Sequence, residues 1–289
     1  MPIHPQHSEL NDGEWKLRVL AEAWSEDLWR VVSSTIARQP AAKHPQTVRL
    51  EPAGSKSAPV LFLKIFHPPA GIDAVKDICR GSRAARFLRQ AVALSAAGFF
   101  VPTVVAAGEE RKGRRLKWAF VLTREISGEA VPVFLRNRYE ASDALPWREK
   151  RLALESLGHE IRRLHDAGFV HGDLVPSNIF VAFEPGGGFR FYLMDHDRTR
   201  RYPKGFGRSL RRRNLVQLNR LPLPGITLQD RIRFFRAYCE RPEWSSAERK
   251  LLFWLECKTR ERRREIDSVD STGNFRSLMS WKVEKSVAA

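Results

Sequence analysis

The hydrophobic pattern of the chain changes near residue 126, and this change constrains the fold more than any other feature of the sequence. Before it, short apolar segments separated by turn residues favour strands, with one amphipathic helix among them. After it, long segments with an apolar residue every three or four positions favour helices. A chain of 289 residues is long enough for two lobes around real cores. The sequence therefore predicts an α+β fold with two lobes, the first β-rich and the second mainly α-helical.

The first half contains five segments with the composition of strands and one with that of a helix. The predicted strands cover residues 28–32, 47–50, 60–66, 101–106 and 116–122. The predicted helix, residues 81–97, carries Phe87, Leu88 and Leu94 on one apolar face and ends before Gly98. We expect a sheet with one helix packed against it.

The second half begins with a long amphipathic helix that has Pro146 near its start and Gly168 just past its end. A glycine-rich turn joining two short apolar runs then predicts a β-hairpin, and two more helices follow a basic loop. The predicted hairpin strands are 178–183 and 189–194, and the predicted helices are 228–239 and 246–264, the second capped by Ser245 or Ser246.

These elements suggest four segments. We expect an N-terminal extension over 1–27 whose first 12 residues are loose, a first lobe over 28–126, a second lobe over 127–270 and a fraying tail over 271–289.

The chain is strongly basic but has the composition of a folded protein. Its 50 Lys and Arg against 33 Asp and Glu give a formal charge of +17, while 43% of the residues are hydrophobic. Such a charge suits nucleic acid, an anionic membrane surface or an acidic substrate. The segment 198–213 holds eight basic residues and no acidic one, whereas 258–264 alternates with glutamates and is typical of a solvated helix face.

The first 15 residues lack the basic start and apolar run of a signal peptide, so we expect no secretion. The uncharged stretch 91–108 is short for a membrane span and is interrupted by Gly98 and Pro102. Three cysteines without pair or metal spacing fit a reducing compartment. We therefore expect a cytoplasmic protein.

The segment His171-Gly-Asp-Leu-Val-Pro-Ser-Asn178 matches the kinase catalytic-loop pattern H-x-D-L-x-x-x-N. Phosphoryl transfer needs a carboxylate at the acceptor hydroxyl and an amide oxygen that binds Mg²⁺, which assigns these roles to Asp173 and Asn178. Capping and Asx-turn roles are the alternative for polar residues in a turn after a helix.

Two further residues weaken that alternative. Asp195 ends an apolar strand seventeen positions after Asn178, where a carboxylate binds the Mg²⁺ that bridges nucleotide phosphates. Lys64 lies on a predicted strand of the first lobe, as the phosphate-binding lysine of kinases does.

The chain resembles the bacterial lipopolysaccharide core kinases, which phosphorylate Kdo or heptose of the inner core and have a protein-kinase-like fold. The resemblance is carried by residues 62–66, 82–102, 120–125, 171–178 and 195–198 and spans about residues 28–201. It implies ATP as donor and Mg²⁺ as metal. It further implies Asp173 as base, Asn178 and Asp195 as metal ligands, Lys64 on the α/β-phosphates and Glu125 at the nucleotide-binding hinge.

The chain departs from the kinase pattern at several positions. Phe87 stands where we expect the helix glutamate that pairs with Lys64, and Asp73 and Asp77 are the nearest acidic residues upstream. No glycine-rich loop precedes Lys64. The nearest candidate turn is 32–35, in which Ser33 and Ser34 would contact phosphates.

Two more departures concern the control of activity. Asp195-His196-Asp197 replaces the Phe-Gly switch of protein kinases, and Gly172 replaces the arginine that binds a phosphorylated loop. The activation control of protein kinases is therefore not expected here.

We expect an ATP- and Mg²⁺-dependent kinase for a sugar hydroxyl of lipopolysaccharide core, acting at the inner face of the cytoplasmic membrane. In it, the basic segment 198–213 would bind anionic substrate groups or lipid headgroups. The alternatives are a kinase for another small molecule or a protein, and a catalytically impaired scaffold that binds anionic partners. The absence of a nucleic-acid-reading motif disfavours nucleic acid as the partner.

Overall fold

The structure is a computed structural model that describes residues 7–40, 45–51, 59–68, 81–113, 115–140, 144–203, 205–220, 226–241 and 243–269. The described residues form two compact units. Unit 1 contains those within 1–127 together with 195–198, and unit 2 contains those within 128–194 and 199–289.

Unit 1 is built on a six-stranded antiparallel sheet. In chain order its strands are β1 (His7–Asp12), β2 (Trp15–Leu20), β3 (Gln46–Leu50), β4 (Leu61–Phe66), β5 (Val104–Lys112) and β6 (Arg115–Arg124), and in space they lie in the order β1-β2-β5-β6-β4-β3. The predicted strands at 47–50, 60–66 and 116–122 are confirmed. The strand predicted at 101–106 begins later, at Val104.

The first strands of the chain belong to this sheet. Strand β2 pairs with β5 in register Val19↔Ala106, and its residues Leu17 and Val19 are buried in the core. The expectation that residues 1–12 are loose is wrong for residues 7–12, which form β1 and pair with β2. The alternation of buried and exposed residues along β2 anchors it in the sheet.

The strand predicted at 28–32 is wrong, because these residues lie in helix α1 (Glu26–Ala37). Ser25 caps this helix by accepting a hydrogen bond from the N–H of Leu28. Val32 and Ile36, four positions apart, are buried against the sheet. The cap and the apolar pair outweigh the strand propensity of the β-branched residues here.

The sheet is covered on both faces. Phe120 and Leu122 of β6 pack in the cluster that contains α1, whereas their neighbours Ala119 and Val121 pack in the cluster that contains Phe87. Phe87 belongs to α2 (Arg83–Ala96), which confirms the predicted helix. The expectation of one covering helix is thus corrected to two.

Unit 2 is mainly helical. Its helices are α3 (Val131–Glu140), α4 (Ala144–Asp166), α5 (Arg208–Asn219), α6 (Leu228–Cys239) and α7 (Ser246–Val269). The predictions for α4, α6 and α7 are confirmed, and Ser245 caps α7 through a reciprocal pair of hydrogen bonds with Glu248.

Helix α5 was not predicted from the sequence. Residues 208–213, expected to be loop, form its first half, whereas Lys204 of the same basic segment lies outside the described residues. The helix buries Asn214, Leu215, Val216 and Gln217. Its core-facing side therefore includes two amides, which hides the apolar period in the sequence.

The remaining strands of unit 2 are short. They are β7 (Glu129–Ala130), β8 (Phe169–Val170), β9 (Ile179–Phe183), β10 (Phe189–Leu193) and β11 (Arg200–Arg201). The predicted hairpin is confirmed as β9–β10, with β7 added beside β9, while β11 pairs with β8. Among the described residues, none of the helices combines the length and apolar character needed to cross a membrane. The predicted tail over 271–289 lies outside the described residues.

Candidate active site

Unit 1 brings together two of the residues singled out from the sequence, Lys64 and Asp195. The Lys64 ammonium lies 2.6 Å from a carboxylate oxygen of Asp195. Lys64 is in the middle of β4 and is paired with Thr47 on one side and Val121 on the other, so its backbone is fixed by the sheet. The pair therefore presents a cation suited to phosphate and a carboxylate suited to a metal ion.

Asp195 has an unusual backbone conformation. Its φ is 48°, in the left-handed region that residues other than glycine adopt only where their surroundings hold them. One turn of 3₁₀ helix, His196–Arg198, follows it and belongs to unit 1 by its contacts. Such strain is concentrated at functional sites, where the surrounding contacts maintain it.

Helix α2 holds that turn. The Arg83 guanidinium donates a hydrogen bond of 2.7 Å to the carboxylate of Asp197. One helical turn later, the Phe87 ring packs on the His196 ring with their centroids 4.0 Å apart. Phe87 thus contacts His196, the residue after Asp195. Position 87 is the one at which a glutamate paired with Lys64 was expected.

Asp73 and Asp77, the nearest acidic residues upstream of α2, lie outside the described residues. The carboxylate that the structure places on Lys64 is that of Asp195.

The phosphate-binding turn predicted at 32–35 is wrong. Ser33 and Ser34 lie inside α1, where their hydroxyls donate to the carbonyl oxygens of Arg30 and Val31 at 3.2 and 3.0 Å. Both hydroxyls are therefore used within the helix, and no turn exists there to surround a phosphate.

Glu125 directly follows β6. Its backbone N–H donates to the carbonyl oxygen of Val60 at 2.9 Å, and its carboxylate lies 3.8 Å from the guanidinium of Arg49. Because the backbone donor is already used in unit 1, a nucleotide contact at this residue would have to use its carbonyl or carboxylate oxygens.

Unit 2 holds the other two candidate residues, Asp173 and Asn178, in one loop. The amide nitrogen of Asn178 donates to the backbone carbonyl of Asp173 at 3.0 Å, which closes the loop and leaves the amide oxygen as the atom suited to bind a metal. Gly172 has a φ of 77°, a conformation that side-chain-bearing residues rarely adopt. An arginine at this position would strain the loop.

Two amides of α5 fix the backbone on both sides of Asp173. Asn214 accepts from the N–H of His171 at 3.0 Å, and Gln217 accepts from the N–H of Leu174 at 3.3 Å. Gln217 also donates to the carbonyl of Gly172. Both amides were missed from the sequence because they lie about 40 positions after the loop. Their local signal is two amides three residues apart, directly after a run of arginines.

A buried histidine supports this network. Nε2 of His165 contacts the side-chain oxygen of Asn214 at 3.3 Å, and Nδ1 contacts the hydroxyl of Tyr238 at 2.9 Å. Because the Asn214 oxygen only accepts, Nε2 carries the proton and Nδ1 accepts from Tyr238. Burial lowers the pKa of His165 to about 4 and raises that of Tyr238 to about 12, so both stay neutral at physiological pH.

The donor atoms fit Mg²⁺ held together with a nucleotide, rather than a metal caged by the protein alone. In the described part of the chain, no group of three or more His, Cys, Asp or Glu residues is arranged to hold a metal ion. Mg²⁺ is usually bound through one or two protein oxygens together with substrate phosphates. Asp195 has a side-chain oxygen of this kind in unit 1, and Asn178 separately has one in unit 2.

Comparison with known proteins agrees with this chemistry. The sequence profile of the lipopolysaccharide kinase (Kdo/WaaP) family matches residues 79–238, which is more than half of the chain. The chain belongs to this family. It is therefore an ATP-dependent kinase, and the family resemblance noted from the sequence is confirmed.

The solved structure of a similar protein supports the fold. WaaP in complex with acyl carrier protein is 24% identical, with a TM-score of 0.58 over 82% of this chain and 95% of that chain. The kinase domain of Mycobacterium tuberculosis PknI, a double mutant, is 15% identical over 76% of this chain and 92% of that chain. Its TM-score of 0.37 is too low to support a conclusion. No curated protein sequence matches the chain significantly. The kinase thus has the predicted α+β, bilobal protein-kinase-like fold.

Proposed function

We propose that this kinase transfers the γ-phosphoryl group of ATP to a hydroxyl of Kdo or heptose in the inner core of lipopolysaccharide. The observation that carries the proposal is the 2.6 Å pair of Lys64 and Asp195, which joins a strand lysine to the carboxylate that ends a later strand. In a chain of the lipopolysaccharide kinase family, these are the groups that phosphoryl transfer requires at the nucleotide.

Asp173 acts as the base. Its carboxylate takes the proton of the acceptor hydroxyl while the sugar oxygen forms a bond to the γ-phosphorus and the bond from that phosphorus to the β,γ-bridging oxygen breaks, which releases ADP. The hydrogen bonds that Asn214 and Gln217 accept from backbone N–H groups on either side of Asp173 support this role, because a base must be held in position during the transfer.

We assign metal-binding roles to the carboxylate of Asp195 and to the amide oxygen of Asn178; Mg²⁺, if bound there, would neutralise charge on the nucleotide phosphates. Lys64 leaves its ion pair with Asp195 to donate to the α/β-phosphates. Arg83 and Phe87 keep the turn after Asp195 in place during this exchange.

Phosphate transfer from radiolabelled ATP to deacylated lipopolysaccharide core tests the proposal. We expect Asp173→Asn to lower kcat by at least about 100-fold with little change in nucleotide affinity, because only proton removal is lost. Asp166→Asn, at an exposed carboxylate near the end of α4, is the matched control. An unchanged rate for Asp173→Asn would remove it as the base.

The acceptor sugar is tested by comparing core acceptors that end in Kdo with acceptors that also carry heptose. Mass spectrometry of the product identifies the phosphorylated residue. Wild-type protein that binds ATP but phosphorylates neither acceptor would refute the lipopolysaccharide substrate, and other small molecules and proteins would then be tested as acceptors.

We further propose peripheral contact with the inner face of the cytoplasmic membrane through α5. Its exposed arginines Arg208, Arg212 and Arg213 lie on a helix without any acidic residue, and Arg212 lies over the ring of Trp254 at 5.8 Å. An arginine cluster beside an aromatic ring is suited to anionic headgroups.

Sedimentation with vesicles of phosphatidylcholine, with and without phosphatidylglycerol, tests this contact. We expect binding to the anionic vesicles that is lost in Arg212→Glu/Arg213→Glu and kept in Lys16→Glu/Lys112→Glu, a control of equal charge change at exposed positions of unit 1. Equal loss in both variants would mean that only net charge matters.

An acyl carrier protein is a candidate partner, because WaaP was solved in complex with one. The observation in this chain that favours it is an apolar cavity of about 490 Å³ in unit 2, lined by leucines and phenylalanines of its five helices. That volume lies in the range of small-ligand pockets, and the apolar lining suits an apolar ligand. Native mass spectrometry with acylated and unacylated carrier protein tests it, and equal binding of the two forms would exclude the cavity as an acyl site.

A further inference from the structure

The start of α2 is fixed to the sheet of unit 1. Ser82, which is fully buried, caps the helix by accepting from the N–H of Ala85 at 3.1 Å. Glu109 on β5 lies near this hydroxyl, and although burial opposes the shift, Arg111 and Ser82 together hold the pKa of the Glu109 carboxyl below its ordinary value. The first turn of α2 is therefore held where it meets the strand.

The side chains that leave this turn both reach the segment after Asp195. Arg83 donates to Asp197, and Phe87, four positions later on the same helix face, packs on His196. Arg83 and Phe87 therefore contact two consecutive residues, Asp197 and His196, that directly follow Asp195.

The charges of this arrangement are the reverse of those usual in kinases. In protein kinases a helix glutamate pairs with the strand lysine, and helix position controls activity through that pair. Here the helix supplies a cation, and its partner is a carboxylate beside the metal-binding position rather than the lysine.

We propose that Arg83 is a positioning residue that holds Asp195 in its metal-binding conformation through Asp197. Phe87 supports the same turn by packing on His196. This inference rests on the proposed role of Asp195 as a metal ligand. In this arrangement α2 acts directly on the metal-binding segment, and Lys64 is free to exchange between Asp195 and phosphate.

The burial of Asp197 explains why its ion pair with Arg83 fixes the position of this segment. The Asp197 side chain is only 2% exposed, and a buried carboxylate needs a partner of opposite charge. The Arg83 guanidinium also lies over the ring of Phe66 with 4.8 Å between the guanidinium carbon and the ring centroid. Without Arg83, the Asp197 carboxylate would have to move towards water. Because Asp197 is two positions from Asp195, the strained φ of Asp195 would then relax as well.

The test uses Arg83→Met, which keeps the aliphatic stem but removes the charge, and Arg83→Lys, which restores the charge. Arg89→Met is the matched control, an exposed arginine on the same helix. The first readout is binding of Mn²⁺ in the presence of a non-hydrolysable ATP analogue, followed by electron paramagnetic resonance without any acceptor sugar. The second is amide hydrogen exchange of the peptide that covers residues 194–199.

We expect Arg83→Met to weaken Mn²⁺ binding about 10- to 100-fold, the usual effect of losing a group that orients a metal ligand. Exchange in the 194–199 peptide should accelerate, Arg83→Lys should recover part of both effects, and Arg89→Met should change neither. Asp197→Asn should weaken binding as well, and adding Arg83→Met to it should cause little further loss, since the two residues act as one unit.

Unchanged Mn²⁺ affinity and unchanged exchange in Arg83→Met would overturn the inference, as would equal effects of Arg89→Met. If Arg83→Met fails to fold, Arg83→Lys and Asp197→Asn decide the question by the same readouts. If the wild-type protein binds no metal with nucleotide, the proposed function fails instead. The exchange measurement then still shows whether Arg83 holds the segment.

Discussion

The side-chain oxygen of Asn214 accepts a hydrogen bond of 3.0 Å from the backbone N–H of His171, two positions before Asp173. The Asn214 amide nitrogen donates to Gln217, which in turn accepts from Leu174 on the other side of Asp173. The stability of unit 2 and the position of the proposed base therefore depend on the same buried amides.

Replacing Asn214 with leucine tests this dependence. The change removes the oxygen that accepts from the N–H of His171 and from Nε2 of His165, and each buried hydrogen bond left unmade costs about 1–3 kcal/mol. We expect the free energy of unfolding, measured in urea, to fall by about 2–4 kcal/mol, and kcat to fall by up to about 100-fold. Ser209→Ala, at an exposed position of α5, should change neither quantity. A loss of stability with full activity would show that the loop is positioned by other contacts.

The pKa of His165 predicts how stability depends on pH. Burial lowers this pKa from its ordinary value of 6.5 to about 4, so between these pH values the unfolded chain binds a proton that the folded chain does not. The stabilisation is complete above pH 6.5 and is lost progressively as the pH falls through this range. We expect a loss of about 2 kcal/mol between pH 7.5 and pH 5. Urea unfolding at a series of pH values measures it.

His165→Gln provides the control for this pH dependence. The variant is less stable at every pH, but it lacks the titrating group, so its stability should fall less over the same interval. Parallel curves for wild type and variant would assign the pH dependence to other groups.

Gly158 predicts a destabilising effect of alanine inside a helix. A Cβ at this position of α4 would lie 2.5 Å from the carbonyl oxygen of Phe234 and 2.7 Å from Cβ of Ala237, both on α6. Alanine gains about 1 kcal/mol in helix propensity, but separating two packed helices costs about 1–3 kcal/mol or more. We expect Gly158→Ala to lower the thermal midpoint, whereas Gly186→Ala, in open space, should leave it unchanged. A higher midpoint for Gly158→Ala would mean that the helices separate easily.

Lys64→Met tests the ion pair with Asp195. Removing the ammonium takes away the proposed donor to the phosphates and the 2.6 Å ion pair that it forms with Asp195. We expect kcat/KM for ATP to fall by about 100-fold or more in steady-state assays at saturating Mg²⁺. Lys112→Met, at an exposed strand position, is the control. A change in KM alone, with kcat unchanged, would limit Lys64 to nucleotide binding.

The sequence predicted the elements whose signals are local. Helix α6 was predicted with its observed bounds, and the structure adds that Thr227 and Asp230 form a capping box at its start. The hairpin β9–β10 was predicted from its glycine-rich turn. Helix α1 was mistaken for a strand because its β-branched residues favour strands, and only packing on the sheet reveals the helix period.

The candidate site likewise contains residues that a sequence motif indicates and residues whose position it does not indicate. Asp173, Asn178, Asp195 and Lys64 were proposed from motif spacing, because phosphoryl transfer uses groups of these types. The structure pairs Lys64 with Asp195 in unit 1 and joins Asp173 to Asn178 in one loop of unit 2. Ser33 and Ser34 were misplaced because their turn was inferred only from hydroxyl content.

By itself, the sequence determined that the chain has two kinds of lobe and contains the residues of a kinase, because hydrophobic period and motif spacing are local properties of the chain. Only the tertiary structure decided which residues hold these groups in place. Arg83 reaches Asp197 across 114 positions and Asn214 reaches His171 across 43, and no local pattern indicates such partners. They are selected by burial, because a carboxylate or an N–H removed from water must find a partner within reach wherever the fold brings one.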